Sequence, residues 1–499
     1  MSYFIGLDIG TGSTKALAID DTTKEIISVE HVSYPTLTPK PYYSEQAPEI
    51  IWQAFVKCIS RLVRKHGNPK GVGLSSAMHS LIPIDKSGTP LMNMITWADA
   101  RSADIAESIY HSAGAKKLYE ETGMPIHAMS PLCKIIWLRE NESTLFDSAH
   151  KFISIKEYIW FKIFGAFEID HSIASATGLF NIHTCLWNES SLQLAGIHSD
   201  KLSVPVSTSY KRKIENSDVM ELLGLDGSTE VVVGGSDGCL ANLGSNAMFP
   251  GRAALTIGTS GAIRIASHTP CHNFEAMTFN YRLDENTFIS GGPINNGGAV
   301  WKWFIKNILA NELDSDEDYN EIIRHMSKEP CANGLLFLPY LLGERAPVWN
   351  SKTSGVFFGI TGRHDQSHFT RAVIEGITMA LYSVGKAIED GAGYIEEIYV
   401  SGGFTKSSEW LQILADMFNK KIILGQTEDA SAIGAAMMAK RSVDNLSEYP
   451  SMSTNENATT IIPAGSAHKK YQEVFPTFTN LYQKLKDDMK FVFERNTSL

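Results

Sequence analysis

The chain contains two closely similar turns, each placed directly after a short apolar segment. The first is "GLDIGTGSTK" (6–15), and the second is "LTIGTSGA" (255–262), about half a chain later. In both turns glycine permits a close approach to the backbone, and Thr or Ser adds hydroxyls to the amide donors. Each turn alone is compatible with a plain tight hairpin or with a phosphate cradle. Their repetition favours a duplicated architecture.

The segments around both turns alternate between strand and helix patterns. "FIGLDIG" and "KALAID" bracket the first turn and predict a hairpin, and "EIIWQAFVKCISRLVRKHG" then follows with the period of a helix. In the second half Trp301, Phe304, Ile305 and Ile308 have helical spacing, which predicts a helix that begins near Asn296. The chain therefore has an α/β pattern that restarts once.

Length and composition fit a soluble globular protein of two domains. The 499 residues exceed one ordinary core, and the restart of the pattern predicts a division into residues 1–246 and 247–499. Apolar residues make up 43% of the chain and charged residues 20%, as is usual for globular proteins. No apolar run approaches the about 18 residues of a membrane span, and no signal peptide is visible. We therefore expect a cytoplasmic protein.

The charge of the chain argues against a polyanionic partner. The formal net charge is −11, with Lys and Arg scattered along the sequence, so we expect neither nucleic acid nor an acidic membrane as a partner. Any bound phosphate must then be held largely by backbone amides, hydroxyls and a metal ion. The six cysteines form no C-x-x-C pair and predict reduced thiols. A homodimer is left open.

Two opposing turns of this kind suit a cleft that grips the β- and γ-phosphates of a nucleotide. Asp8 stands directly before the first turn, where a carboxylate can hold Mg²⁺ directly or through water. The predicted phosphate contacts are Thr11, Gly12, Ser13, Thr14 and Lys15 from the first turn and Gly258, Thr259 and Ser260 from the second.

At this point the sequence resembles known families. Both turns are similar to the phosphate motifs of the actin, hexokinase and heat-shock-chaperone superfamily of ATPases, which implies two ribonuclease-H-like domains around a central cleft. "MSPLCKIIWLREN" (129–141) and "GVFFGITGRHDQSHFTRAVIE" (355–375) resemble the two signature segments of the FGGY carbohydrate kinases. The resemblance spans roughly residues 4–440. It implies an enzyme that transfers the γ-phosphoryl group of Mg-ATP to a sugar hydroxyl.

The resemblance also implies roles for individual residues. Asp237 follows the strand "EVVV" and corresponds to the general base of the family; the alternative is a helix N-cap ahead of "CLANLG". The adenosine pocket of the family falls on "SGGFTKSS", with Gly402, Gly403 and Phe404. The alternative there is a strand-to-helix turn that needs glycine only for its geometry.

The substrate contacts implied by the family lie in "SSAMHSL" and "ITWADARS". The predicted residues there are Met78, His79, Trp97, Asp99 and Arg101. Asn295 and Asn296 are added because a helix begins beside them and its N-terminal amides can accept an anion. Arg345 in "GERAP" is left open between substrate, nucleotide and an ion pair with Glu344.

The identity of the sugar rests on individual residues within the substrate stretches. "SAMHSLIPID", "ITWADARS" and "INNGGAVW" most resemble the gluconate-phosphorylating members of the family, whereas Ala77 and Ala98 depart from the pattern of the xylulose-phosphorylating members. The carboxylate of gluconate would need a partner, for which His79, Arg101 and the helix start at Asn296 are the candidates. Xylulose, another ketose or a polyol is the alternative substrate. A nucleotide-gated binding protein without catalysis is the distant alternative, and it should lack a base such as Asp237.

Overall fold

The computed structural model describes residues 2–311, 316–391, 393–425, 429–450 and 459–496. Numbered along the chain, the strands of these residues are β1 (Tyr3–Ile9), β2 (Ser13–Asp20), β3 (Ile26–Ser33), β4 (Glu45–Gln46), β5 (Gly71–Ser76), β6 (Ile82–Ile84), β7 (Met94–Ile95), β8 (Lys151–Ile153), β9 (Glu168–Asp170), β10 (Phe180–Asn181), β11 (Leu186–Trp187), β12 (Val204–Val206), β13 (Lys211–Lys213), β14 (Glu230–Ser236), β15 (Arg252–Ile257), β16 (Gly261–Ser267), β17 (Phe279–Arg282), β18 (Phe288–Ile294), β19 (Leu336–Leu338), β20 (Val356–Phe358), β21 (Glu397–Ser401), β22 (Lys421–Leu424) and β23 (Thr460–Ile461). The helices are α1 (Pro48–His66), α2 (Ala103–Tyr110), α3 (Ala115–Thr122), α4 (Pro131–Asn141), α5 (Ser143–Ser148), α6 (Ile155–Phe164), α7 (His171–Ser175), α8 (Glu189–Ala195), α9 (Ser217–Leu223), α10 (Asp237–Gly244), α11 (Gly298–Asn307), α12 (Asp316–Arg324), α13 (Gln366–Asp390), α14 (Ser408–Phe418), α15 (Ala430–Val443) and α16 (Gly465–Asn496).

The strands form two large sheets with the same internal order. The first sheet runs β3–β2–β1–β5–β14–β13, with β1, β2 and β3 antiparallel and with β5 and β14 added in parallel. The second sheet contains β18–β16–β15–β21–β22, with the same directions in the same positions. This repetition confirms the predicted α/β fold of two ribonuclease-H-like units, and both phosphate-type turns occupy the same place, between the first two strands of a sheet.

Helices complete the two units largely as their apolar spacing predicts. Residues Ile51, Phe55 and Ile59 of α1 are buried against the first sheet. In the second half α11 begins at Gly298, close to the predicted Asn296. Ile308, the last residue of that spacing, lies just past the end of α11 and is exposed.

Two further expectations concern cysteines and membranes. All six cysteines lie in described segments and are free thiols, which agrees with the prediction of reduced cysteines. Among the helices of the described residues, none combines the length and the apolar character needed to cross a membrane.

Helix α15 lies far from its sequence neighbours in the fold. It follows β22 of the second sheet, yet it packs on β1, β5 and β14 of the first sheet and crosses α10. The crossing is very close, because a Cβ on Gly244 would lie 2.0 Å from the carbonyl oxygen of Ala430 and one on Gly434 would lie 2.0 Å from that of Leu240. The division at residues 246 and 247 stays a prediction, since α15 belongs to the second half by sequence and to the first sheet by contact.

Candidate active site

The first turn joins β1 to β2 and leaves two amides uncommitted. It is closed by a 2.9 Å hydrogen bond from the Gly10 amide to the Ser13 carbonyl. The amides of Thr11 and Gly12 donate no hydrogen bond within the described segments, and Gly12 is exposed. The Thr11 hydroxyl accepts a 2.9 Å bond from the indole of Trp97. A predicted sugar contact and a predicted phosphate contact are therefore joined directly.

Thr14 lies behind this turn and does not line the cleft. Its side chain is fully buried, and its hydroxyl lies 3.4 Å from that of Tyr34, which donates a 2.6 Å hydrogen bond to the Gly10 carbonyl. Thr14 was predicted to contact phosphate; the structure places its side chain in the core, because neighbouring side chains of β2 point to opposite faces of the sheet. Lys15, the next residue, forms an ion pair with Asp429 directly before α15.

Asp8 lies near the end of β1, and Asp237 directly follows β14, on the other side of β5 in the first sheet. The negative charge of Asp237 acts on Asp8. Asp8 accepts a 2.7 Å hydrogen bond from the Ser75 hydroxyl. Burial raises the pKa of Asp8 to about 7, and the negative charge of Asp237 adds to the rise. Two carboxyl groups near each other in a buried setting favour either a shared proton or a bound cation.

Asp237 is the first residue of α10, and its side chain is not the cap. The N-cap is Ser236, whose hydroxyl accepts from the Cys239 amide at 3.4 Å. The Asp237 carboxylate accepts a 2.7 Å hydrogen bond from the adjacent Gly238 amide, and no second hydrogen bond reaches it from any described residue. Burial raises its pKa, whereas the charge of Arg264 opposes the rise. A carboxylate with open acceptor positions at the end of a strand suits proton transfer.

The second turn is built against the start of α11. The amides of Gly298 and Ala299 donate to the carbonyls of Gly258 and Thr259 at 2.7 and 3.1 Å. These amides, which were predicted to offer an anion site at the start of α11, are therefore hydrogen-bonded to the second turn. Gly258 and Thr259 are exposed, and the amides of Thr259 and Ser260 donate to no partner among the described residues.

The predicted adenosine segment follows β21 and lies beside the second turn. Gly402 has a φ of 110°, and a Cβ there would lie 2.2 Å from the Ile257 carbonyl oxygen, so glycine is required. Gly403 is exposed with open space around it. The side chain of Phe404 is buried, with its ring 5.6 Å from that of Trp410. Phe404 was predicted to contact the nucleotide; its side chain lies in the core, and the backbone of the two glycines remains the accessible surface.

His79 is held in one orientation as a neutral ring. It has a φ of 66°, its Nδ1 donates to the Ala176 carbonyl at 2.7 Å, and its Nε2 lies 3.4 Å from the Tyr281 hydroxyl. Burial lowers the pKa of His79 to about 3. His79 therefore brings a hydrogen-bonding nitrogen to the cleft and no positive charge. Met78 precedes it and lies beside Gly238.

Asp99 and Arg101 belong to a buried network of ion pairs. The Arg101 guanidinium donates 2.7 Å bonds to the carboxylates of both Asp99 and Glu45, and it stacks 3.7 Å from the centre of the Tyr43 ring. Asp99 also accepts from the Ser44 amide at 2.7 Å. Both were predicted to contact the substrate, and in the structure they bond to each other and to groups about fifty residues earlier, Arg101 to Glu45 and Asp99 to the Ser44 amide.

The two asparagines before α11 also have structural partners. The amide of Asn296 is fully buried and donates to the Gly343 carbonyl at 2.7 Å and to Glu344 at 2.9 Å. Its oxygen accepts from the Leu342 amide at 3.1 Å, so the side chain that was predicted to contact the substrate is bonded through both its nitrogen and its oxygen to the loop at 342–344. Asn295 accepts a 2.7 Å bond from Nε of Arg345 and so orients that guanidinium.

Lys134 is a site residue that the sequence interpretation missed. It lies within the signature segment on α4, is fully buried, and donates to the carbonyls of His79 at 2.5 Å and Thr96 at 2.8 Å. It thereby fixes both substrate stretches from behind. A lysine inside the apolar run "PLCKIIWL" was the signal, because a buried ammonium must satisfy its donors.

Replacing Lys134 by Met should loosen both stretches together. Two buried carbonyls lose their donor, which should lower the free energy of unfolding by about 2–4 kcal/mol. The KM for the sugar should rise while the KM for ATP stays unchanged. Urea unfolding and steady-state kinetics measure this, with Lys117→Met on the exposed face of α3 as the control. Equal sugar KM values for Lys134→Met and wild type would contradict this role.

Comparison with known proteins shows the family of the chain. Residues 3–244 match the N-terminal domain model of the FGGY family of carbohydrate kinases, and residues 253–443 match its C-terminal domain model. The chain is 37% identical to a gluconokinase of Bacillus licheniformis over 100% of this chain and 99% of the relative. Two solved structures from Lactobacillus acidophilus, each 31% identical and covering 97% of this chain, are similar: a ligand-bound xylulose kinase (99% of its chain, TM-score 0.92) and a gluconate kinase (98%, 0.91). The chain therefore belongs to the FGGY family of carbohydrate kinases.

Proposed function

We propose that this carbohydrate kinase transfers the γ-phosphoryl group of ATP to the terminal hydroxyl of D-gluconate and forms 6-phosphogluconate. The observation that carries the kinase chemistry is the pair of equivalent turns with uncommitted amides, together with the sparsely bonded carboxylate of Asp237. The choice of gluconate rests on the relative from Bacillus licheniformis and on the substrate stretches of the sequence.

We assign the nucleotide phosphates to the two turns. The free amides of Thr11, Gly12, Thr259 and Ser260 supply donors, and the hydroxyls of Thr11, Ser13, Thr259 and Ser260 add further ones. Gly402 and Gly403 offer an exposed backbone surface for the nucleoside. Lys15 completes the cradle by exchanging Asp429 for a phosphate oxygen.

Asp8 fits the role of a carboxylate beside Mg²⁺. Burial raises the pKa of Asp8 and the charge of Asp237 adds to the rise, so a cation beside this carboxylate would stabilise its charged form. No cluster of three or more His, Cys, Asp or Glu side chains able to hold a metal occurs in the described part of the chain. This suits Mg²⁺, which typically keeps several waters and binds one or two carboxylates plus phosphate oxygens. When bound, the ion would neutralise charge on the phosphate groups.

The residues of the chain then divide the chemical step among them. Asp237 accepts the proton of the sugar hydroxyl as its oxygen bonds to the γ-phosphorus and the bond from that phosphorus to ADP breaks. The amides of both turns and Lys15 hold the charge on the transferring group. Trp97, bonded to the first turn, and the neutral His79 line the sugar side. Closure of the two units around the substrates would exclude water.

A substrate panel tests this assignment. ADP release by the purified protein with Mg-ATP should be fastest with D-gluconate among gluconate, xylulose, ribulose and glycerol. The transferred group should appear on the terminal hydroxyl, which phosphorus NMR of the product determines. A higher kcat/KM for xylulose would reject gluconate and keep the kinase. Absence of ADP release with every sugar of the panel, in a protein that still binds ATP, would instead favour the non-catalytic binding protein.

A further inference from the structure

Arg264 is a largely buried cation that lacks a bonded partner. It lies on β16, with its guanidinium directed to the residue after Asp237: a Cβ on Gly238 would lie 3.2 Å from its Nε and 3.2 Å from the end of Met78. Within the described residues it donates no hydrogen bond and makes no ion pair. Burial of a guanidinium is costly unless an anion or several acceptors satisfy it.

A second arginine lies close to Arg264 and has neutral partners. Arg345 donates to the side chain of Asn295 at 2.7 Å and to the Ile294 carbonyl at 3.2 Å, and it lies 5.1 Å from the centre of the Trp97 ring. An ion pair with Glu344, one of the three roles left open for Arg345, is not formed among the described residues, because that carboxylate accepts from backbone amides and Asn296 instead.

The two guanidiniums repel each other across the site. Burial lowers the pKa of Arg345 to about 10, and the charge of Arg264 lowers it further. The charge of Arg264 also acts on Asp237. Arg264 is thus within electrostatic reach of both the base and the second arginine. A substrate with its hydroxyl at Asp237 can extend its other end toward the two arginines.

The other candidate partners for a carboxylate are already committed. Arg101 is held by two carboxylates, and His79 is neutral. The amides at the start of α11 donate to the second turn, and Lys134 donates to two carbonyls. Of the cations compared above, all in the described part of the chain, Arg264 and Arg345 are the two that keep donors for a substrate carboxylate.

We propose that Arg264, together with Arg345, binds the carboxylate of the sugar acid and so selects acids over uncharged sugars. This assignment rests on the proposed function of gluconate phosphorylation and names the residues that recognise the charged end. A neutral ketose in the same place would leave two buried guanidiniums unpaired, which disfavours it.

A pair of matched ligands tests the proposal. D-gluconate and D-gluconamide share one polyol chain and differ in the charge of the terminal group. Calorimetric titration without nucleotide should show that Arg264→Met weakens gluconate binding by about 10- to 100-fold and leaves gluconamide binding unchanged. Arg264→Lys, which keeps the charge, should recover part of the loss. Arg252→Met, at the far end of β15 and paired with Glu397, is the control and should bind both ligands as wild type does.

The remaining outcomes separate this assignment from the proposed function. Equal weakening for both ligands would mean that Arg264 shapes the site without reading the carboxylate, and no weakening would remove it from the site; either result overturns the assignment while wild-type gluconate phosphorylation stands. A wild-type protein that binds xylulose and neither gluconate nor gluconamide would overturn the proposed function and this assignment with it.

Discussion

Asp237→Asn is expected to lower kcat by about 10²–10⁴-fold, because the amide cannot accept the proton of the attacking hydroxyl. The substitution keeps the size of the side chain and an oxygen for the 2.7 Å bond from the Gly238 amide, so the fold and the affinity for ATP should be retained. Rapid-quench measurement of the phosphorylated sugar, together with nucleotide titration, measures both effects.

The same carboxylate predicts the direction of the pH dependence. Burial raises the pKa of Asp237, so the proton-bound, inactive form persists to a higher pH than for an ordinary aspartate. The wild-type kcat should therefore fall as the pH drops through that raised pKa, and Asp237→Asn should lose this acid limb. Asp147→Asn, at an exposed position of α5, is the matched control. A kcat for Asp237→Asn close to that of the control would refute the role of base.

Gly434→Ala is expected to lower the free energy of unfolding by about 3 kcal/mol or more, against the usual preference for alanine in helices. The added methyl would lie 2.0 Å from the Leu240 carbonyl oxygen, and backbone atoms cannot rotate away. Separation of α15 from α10 would also strip cover from the first sheet. Urea unfolding monitored by tryptophan fluorescence measures the loss.

The control for this variant is Gly465→Ala. Gly465 is the first residue of α16, and a Cβ there meets no atom within 4 Å. The same chemical change should therefore leave stability unchanged or slightly raised. If both variants were equally stable, the helix crossing would be looser than these distances require.

Local patterns of the sequence predicted the repeated part of this fold. The strand–turn–strand units are set by short-range apolar spacing and by glycine. The position of Asp237 is visible because it directly follows the seven residues "EVVVGGS" of β14. The resemblance to the FGGY signatures then supplied the family, which the domain matches confirm.

The partners of individual side chains could not be predicted in this way. Arg101 was expected to reach the substrate, yet it is neutralised by Glu45, which lies 56 residues earlier. Asn296 donates a hydrogen bond to the loop at Gly343, and the ring of Phe404 packs against Trp410 of α14, a helix that begins after Phe404 in the sequence. Residue type and spacing do not reveal which distant segment of the chain will pack against a given side chain in the fold. Arg264, by contrast, left a readable signal, since a lone cation within the apolar strand "GAIRIAS" needs an explanation.

The position of α15 has a consequence for how the protein is made. Phe4 and Leu17 of the first sheet are buried in the cluster that includes α15, although almost two hundred residues separate the last strands of that sheet from this helix. When the first half of the chain has emerged from the ribosome, the helix that covers its sheet, α15, has therefore not yet been synthesised. Until the segment ending at Val443 emerges, the strands of the first sheet keep apolar side chains exposed to chaperones or to other nascent chains.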